Sequence, residues 1–386
     1  MMQNLLKRGS AAIVGVAESD LGLVAPHTSP IDLMAQGVMR ALDDCGLQLS
    51  DVDALFAATS QARFSTMMLK EYLGLNPTWN DNTQIGGSSF EAHVAHAWAA
   101  IQLGQCEVAV ITYGSTQRSV SRAAASPREY NYYEAPFKPF MPPTAYAMAT
   151  ARHMHQYGTT REQLAEVAVA ARQWALMNPA AWEKEPLSIE QVLASRMVSH
   201  PLSVRDCCLV TDGGGAIVMT SGERAKTLKK QPVYPIGYGE GISHNSIANM
   251  ADLTVTGAAV SGPRAYAMAG LGPKDIDVVE LYDAFTITPI LFLEDLGFCP
   301  KGEGGRFVSG GRIAPGGELP VDTNGGGLSY CHPGMYGLFI LIEAVRQLRG
   351  ECGQRQVKDA ETAIVHGNGG VLSSQITCIL GGPSTV

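Results

Sequence analysis

Residues Gln84 to Val94 read QIGGSSFEAHV. Gly86-Gly87 allows a tight turn and close backbone approach, and Ser88 to Glu91 has the S-x-x-E spacing expected of a capping box before an apolar-periodic run. A helix N-terminus of this kind suits a nucleophile, because the dipole and the exposed amides favour a thiolate. This turn holds no cysteine, however, and its serines stand where caps stand. What it keeps is anion stabilisation by backbone amides, the chemistry of an oxyanion site. Cys331, beside His332 in SYCHPGMYG, is a fallback nucleophile. His93 and His96 lie three apart on the helix after Gly87 and read as structural or contact residues. His153 and His155, two apart, do not share a helix face, so no metal is expected there. His244-Asn245 is a candidate substrate contact. The eight cysteines form no C-x-x-C pair, which points to a reducing compartment and no structural zinc.

Positioning such groups needs a sizeable scaffold. The chain has 386 residues, 46% of them hydrophobic and 17% charged, with 42 glycines, which suits two or three turn-rich α/β domains. A net charge of -8 argues against a nucleic-acid partner. No run reaches about 18 uncharged apolar residues and no signal peptide is evident, so a cytoplasmic protein with no membrane span is expected.

An internal repeat organises the chain. CGLQLSDVDALFAATS from Cys45 matches AGLGPKDIDVVELYDAF from Ala269, Gly46 falling on Gly270, and AAIQLGQCEVAVITYGS from Ala99 matches AVRQLRGEC from Ala344. Each half reads strand, helix, strand, glycine turn, buried helix, strand, which predicts mainly parallel sheets packed as pseudo-twofold halves. Residues 1–118 and 207–225 are assigned to the first half, 119–206 to a covering insertion, and 226–386 to the second half. Cys207 to Ser221 is predicted to be a strand, Thr159 a helix cap with a glutamate three residues on, and Gly310 to Gly327 a turn-rich excursion. The Tyr- and Pro-rich segment Ser119 to Tyr146 is expected to cover the site.

Four blocks then become recognisable: DGGGAIVMTSGERAKTL from Asp212, VVELYDAFT from Val278, NGGGLSYCHPGMYGLFILIEAVRQLRGE from Asn324, and HGNGGVLSSQITCILGG from His366. In order and spacing they resemble the thiolase superfamily, most closely the sterol-carrier-protein-type thiolases and the lipid-transfer-protein aldolases. The resemblance implies an α/β fold of five layers, αβαβα, built from two βαβαβ halves. It also implies a coenzyme A thioester as substrate, with no covalently bound cofactor. The family's nucleophilic cysteine matches Gly86, its second cysteine matches His366, the Asn or His of one block matches Tyr282, and only His332 stays in register.

Without a nucleophile, the surviving chemistry is enolate stabilisation by Gly86, Gly87 and Ser88 facing Gly369 and Gly370. Proton transfer then falls to Tyr282, His332, His366, Tyr330 or Tyr336. That suits retro-aldol cleavage of a β-hydroxyacyl-CoA; the alternatives are thiolytic acyl transfer by a relocated nucleophile and a non-catalytic scaffold or lipid carrier. The resemblance further implies a homodimer joined along Cys106 to Gly114 and a separate OB-fold partner carrying a zinc ribbon.

Overall fold

The computed structural model describes residues 6–121 and 132–386. Part of the expected covering segment, 122–131, therefore lies outside the described residues. Two sheets carry the fold. The first has the order β1-β7-β4-β2-β3, from β1 (Ala11–Glu18), β2 (Ala54–Ala57), β3 (Trp79–Asp81), β4 (Val108–Ser115) and β7 (Gly213–Ser221). The second has the order β8-β11-β10-β9, from β8 (Tyr234–Ile242), β9 (Val278–Leu281), β10 (Thr362–Gly369) and β11 (Ser374–Gly381). A small hairpin of β5 (Met197–Ser199) and β6 (Leu202–Ser203) lies apart from both. In each large sheet a parallel pair, β2 with β4 or β9 with β10, is followed by an antiparallel neighbour, β7 or β11.

The repeat seen in the sequence has a local cause. Helix Pro30–Cys45 starts on a Ser29 and Asp32 capping box and stops at Gly46, whose left-handed φ of 79° ends the turn. Its counterpart Ala258–Ala269 stops at Gly270, φ 67°. Each passes through a short 3-10 turn into a parallel strand, β2 or β9. These two helices cover the outer faces of their sheets, while Ser89–Gln102 and Gly337–Arg349 pack on each other and on strands of both sheets. The result is five layers, and it explains why β4 and β10 are buried along their whole length rather than alternating.

Several expectations need correcting. The closing strand of the first half begins at Gly213, and Cys207 to Asp212 is irregular chain. Helix Arg161–Leu176 is capped by Thr160, with Gln163 completing the box. Segment 310–327, by contrast, is turn-rich as expected, with one bridge, Val321 to Val279. A dimer joint along Cys106 to Gly114 is excluded, because β4 is already hydrogen-bonded to β7 on one side and β2 on the other; the end strands of this sheet are β1 and β3. No helix among the described residues is long and apolar enough to cross a membrane.

Candidate active site

A cavity of about 270 Å³ opens where the two halves meet. Its floor is the turn before helix Ser89–Gln102. Gly86 has φ 83°, and a Cβ there would stand 2.6 Å from the Gly370 amide nitrogen. A Cβ on Gly87 would stand 2.1 Å from Cε2 of Tyr282. Both positions must be glycine: the first packs on the Gly369-Gly370 turn, and the second lies where the Tyr282 ring already fills the space. Gly369 is equally constrained, since its Cβ would fall 1.8 Å from the carbonyl oxygen of Ile85.

The serines of this turn are locked. Ser89 Oγ donates to Gly86 O at 2.7 Å and accepts from the Ile85 amide at 3.0 Å. Ser88 Oγ donates to Ser374 Oγ at 2.9 Å, tying the helix to β11 of the other half. The expected capping box does not form: Ser88, at φ -81° and ψ 1°, is not extended, and its hydroxyl turns to β11. Glu91 lies buried against Gly337 and Gly367. Burial pushes its carboxyl up to about 8, and neither oxygen meets a partner outside its own backbone.

Tyr282 stands at the carboxyl end of β9, its amide donating to the carbonyl of His366 on β10. Its hydroxyl is 3.1 Å from Nε2 of His332, and the rings meet edge to face. Burial raises the phenol well above its ordinary range, with Cys208 adding to the effect. His332 is held by reciprocal bonds to Thr211: its amide donates to Thr211 Oγ1 at 3.0 Å, and its carbonyl accepts from the Thr211 amide at 3.2 Å. Asp283 accepts the amide of Leu328 at 3.1 Å and that of Gly327, fixing the loop that delivers the histidine.

The structure thus brings Gly86, Gly87, Gly370, Tyr282 and His332 to one cavity. Other candidates point elsewhere. Tyr336 donates to Asn324 Oδ1 at 2.7 Å behind the Tyr282 ring. Tyr330 donates to Glu18 at 2.9 Å, a carboxylate also paired with Arg346. Cys331 is enclosed, with its thiol driven well up by burial, and does not line the cavity. His366 is wholly buried on β10 and pushed down to about 4 by burial. His244 bonds the carbonyl of Val371 at 2.9 Å rather than facing the cavity. Among the described residues no cluster of side chains could hold a metal ion.

Sequence reading missed Tyr146, Asn368 and Cys208, all on the cavity wall. Tyr146 comes from helix Pro143–Tyr157 and stacks on Phe285 with ring centres 4.2 Å apart. Its hydroxyl accepts from Asn368 Nδ2 at 2.8 Å. The signal for Asn368 was present: it lies two residues beyond His366, on the same face of a strand, opposite Gln375 in the register.

Residues 239–382 match the family described as thiolase C-terminal domain-like. An acetyl-CoA acetyltransferase of Methanothermobacter thermautotrophicus is 32% identical over 372 residues, covering 93% of this chain and 96% of that protein. A 17-hydroxy-3-oxo-4-pregnene-20-carboxyl-CoA lyase of Mycobacterium tuberculosis is 34% identical over 361 residues, covering 89% of this chain and 92% of that protein. The solved Ltp2-ChsH2(DUF35) aldolase superposes with a TM-score of 0.88 at 31% identity, covering 98% of this chain and 99% of that one. Two α/β halves enclosing a glycine-floored, tyrosine-lined cavity define an enzyme of carbon–carbon bond chemistry. The chain belongs to the thiolase superfamily.

Proposed function

We propose that the chain cleaves a β-hydroxyacyl-CoA by a retro-aldol reaction without a covalent acyl-enzyme. The observation that carries this reading is the filled nucleophile position: a side chain at Gly86 would strike the Gly369-Gly370 turn and one at Gly87 the Tyr282 ring, whose hydroxyl meets His332 at 3.1 Å. The pair Tyr282 and His332 takes the proton of the substrate β-hydroxyl, the phenol passing its own proton to Nε2. The carbonyl forms, the Cα–Cβ bond breaks, and its electron pair becomes the enolate of the shorter acyl-CoA. The amides of the glycine floor, at a helix N-terminus, stabilise that charge, and protonation of the α-carbon completes the cycle. The lyase from M. tuberculosis and the Ltp2 aldolase support this reading.

The test is a product analysis with β-hydroxyacyl-CoA esters of steroid, aromatic and branched acyl groups. An aldehyde or ketone and a shortened acyl-CoA, with no protein adduct, is the expected result. Tyr282→Phe should lower kcat by about 10²-fold or more while CoA-ester binding persists, as expected for loss of a proton-transfer group.

A second reading, thiolytic acyl transfer, is favoured by one feature and by the acetyltransferase relative. Cys208 lines the cavity, near enough to Tyr146 and Tyr282 to oppose the ionisation of both. An acyl adduct on Cys208 after incubation with a 3-oxoacyl-CoA would replace the aldol reading with this one. A partner of the DUF35 type, with an OB-fold and zinc ribbon, is part of the proposal, as is a homodimer; the aldolase of similar structure was solved with ChsH2(DUF35).

A further inference from the structure

We infer that Tyr146 is a hydrogen-bond donor to the substrate oxygen that gains negative charge, and that His366 is the positioning residue that orients it from behind the cavity wall. The inference rests on the reading of the cavity as a site of thioester enolate chemistry. It is carried by a chain of four side chains, Tyr146, Asn368, Gln375 and His366, in which the orientations of the two amides leave the phenol proton facing the cavity.

A phenol oxygen has one proton to give and two lone pairs to fill. Asn368 Nδ2 donates to Tyr146 Oη at 2.8 Å, filling one lone pair. The phenol proton therefore faces Gly370 O, 3.4 Å away on the cavity wall. That separation is long for an O–H···O bond, so a substrate oxygen can take the proton over without breaking a good contact.

The polarity runs back into the sheet. Asn368 presents its NH2 to Tyr146 and accepts Gln375 Nε2 on its Oδ1 at 2.6 Å; the reversed network, in which the phenol donates to Asn368, is the alternative that the Asn368→Asp variant below separates from this one. In this polarity Gln375 presents Oε1 to His366, whose Nε2 lies 2.7 Å away and donates to it. His366 Nδ1 then accepts from Thr377 Oγ1 at 2.8 Å, and Thr377 Oγ1 in turn pairs with Ser261 Oγ at 2.8 Å. Burial holds the imidazole down at about 4, so it stays neutral at physiological pH, with one nitrogen to donate and one to accept. Burial likewise lifts the Tyr146 phenol to about 12, so it remains a donor. The cross-strand pairs His366 with Thr377 and Asn368 with Gln375 place the whole relay on one face of the β10–β11 hairpin. A donor aimed in advance into an enclosed site stabilises charge without reorganisation at the moment of reaction.

The probe is acetoacetyl-CoA in the absence of free CoA, whose enolate is followed by its near-ultraviolet band, alongside kcat for the physiological reaction. Wild-type protein should strengthen the band on binding. Tyr146→Phe should lose most of it and about 10²-fold in kcat, with little change in KM, as for loss of one oxyanion donor. Asn368→Asp is the decisive variant: a carboxylate accepts from both neighbours and turns the phenol proton away from the cavity, although the tyrosine is intact. It should match Tyr146→Phe at pH 8 and recover as acidification lets the new carboxyl donate. His366→Leu combined with Tyr146→Phe should be no worse than Tyr146→Phe alone. The inference is overturned if wild type leaves the enolate band unchanged, if Tyr146→Phe keeps both band and kcat, or if the Asn368→Asp loss does not vary with pH. An enolate band without release of ketone or aldehyde from any β-hydroxyacyl-CoA would sink the aldol reading and leave this one standing.

Discussion

Glu91 is the residue with the clearest cost. Its carboxyl is buried without a partner in the middle layer, and its pKa rises from 4.5 to about 8. Below pH 4.5 folded and unfolded chains both hold the proton, and no penalty exists. Between 4.5 and 8 the unfolded state ionises first, so stability falls as pH rises, levelling off above about 8. At pH 7 the penalty is roughly 3 kcal/mol by the linkage of 1.36 kcal/mol per pKa unit. Glu91→Gln, neutral at every pH, should therefore melt several degrees higher than wild type at pH 8 and equally near pH 4.5. A melting curve that keeps its pH dependence in the variant would assign that dependence to another group.

At the scale of elements, the seam between the turn Ile85–Ser88 and the β10–β11 hairpin sets the site. Gly87→Ala should displace the Tyr282 ring, break its 3.1 Å bond to His332 and cost about 1–3 kcal/mol, the usual range for overpacking. Its expected signature is a fall in kcat larger than the fall in thermal stability accounts for, read by comparing rates and melting temperatures of the same preparations. The elements themselves were legible where local chemistry fixes them. Gly46 and Gly270 announce helix ends because only glycine readily takes a left-handed φ there, and that is why the duplication could be read at all. The partners of side chains were not legible. Tyr330 finds Glu18 across 312 residues of chain, and Ser88 finds Ser374 across 286. The position of β4 inside its sheet was hidden for the same reason, since its neighbour β7 arrives only after the intervening segment has been threaded elsewhere. The nucleophile's absence was visible in the sequence; the packing of the Tyr282 ring, from the other half, against the neighbouring Gly87 was not.

For the whole molecule, assembly is open to direct test. If the proposed homodimer joins its first sheets edge to edge, β3 is the more open end, because the other end strand, β1, is bridged at Ile13 by Val233. Asn80→Pro should then give monomers by light scattering with unchanged circular dichroism, and a dimer that survives this change uses a different face. The proposed partner should act at the cavity entrance, where exposed Phe137 and Phe140 precede Pro142 and Pro143 of the wall. Addition of a DUF35-type protein should raise turnover of bulky acyl esters more than that of short ones, measured as kcat/KM across chain length.

The seam has one more consequence. The first half supplies the glycine floor at a helix N-terminus, whereas the second supplies Tyr282, His332 and Asn368. Two copies of one ancestral unit have become a left and a right hand, alike in outline and no longer interchangeable. A gene carrying either half twice would encode a credible fold with nothing to close the reaction upon.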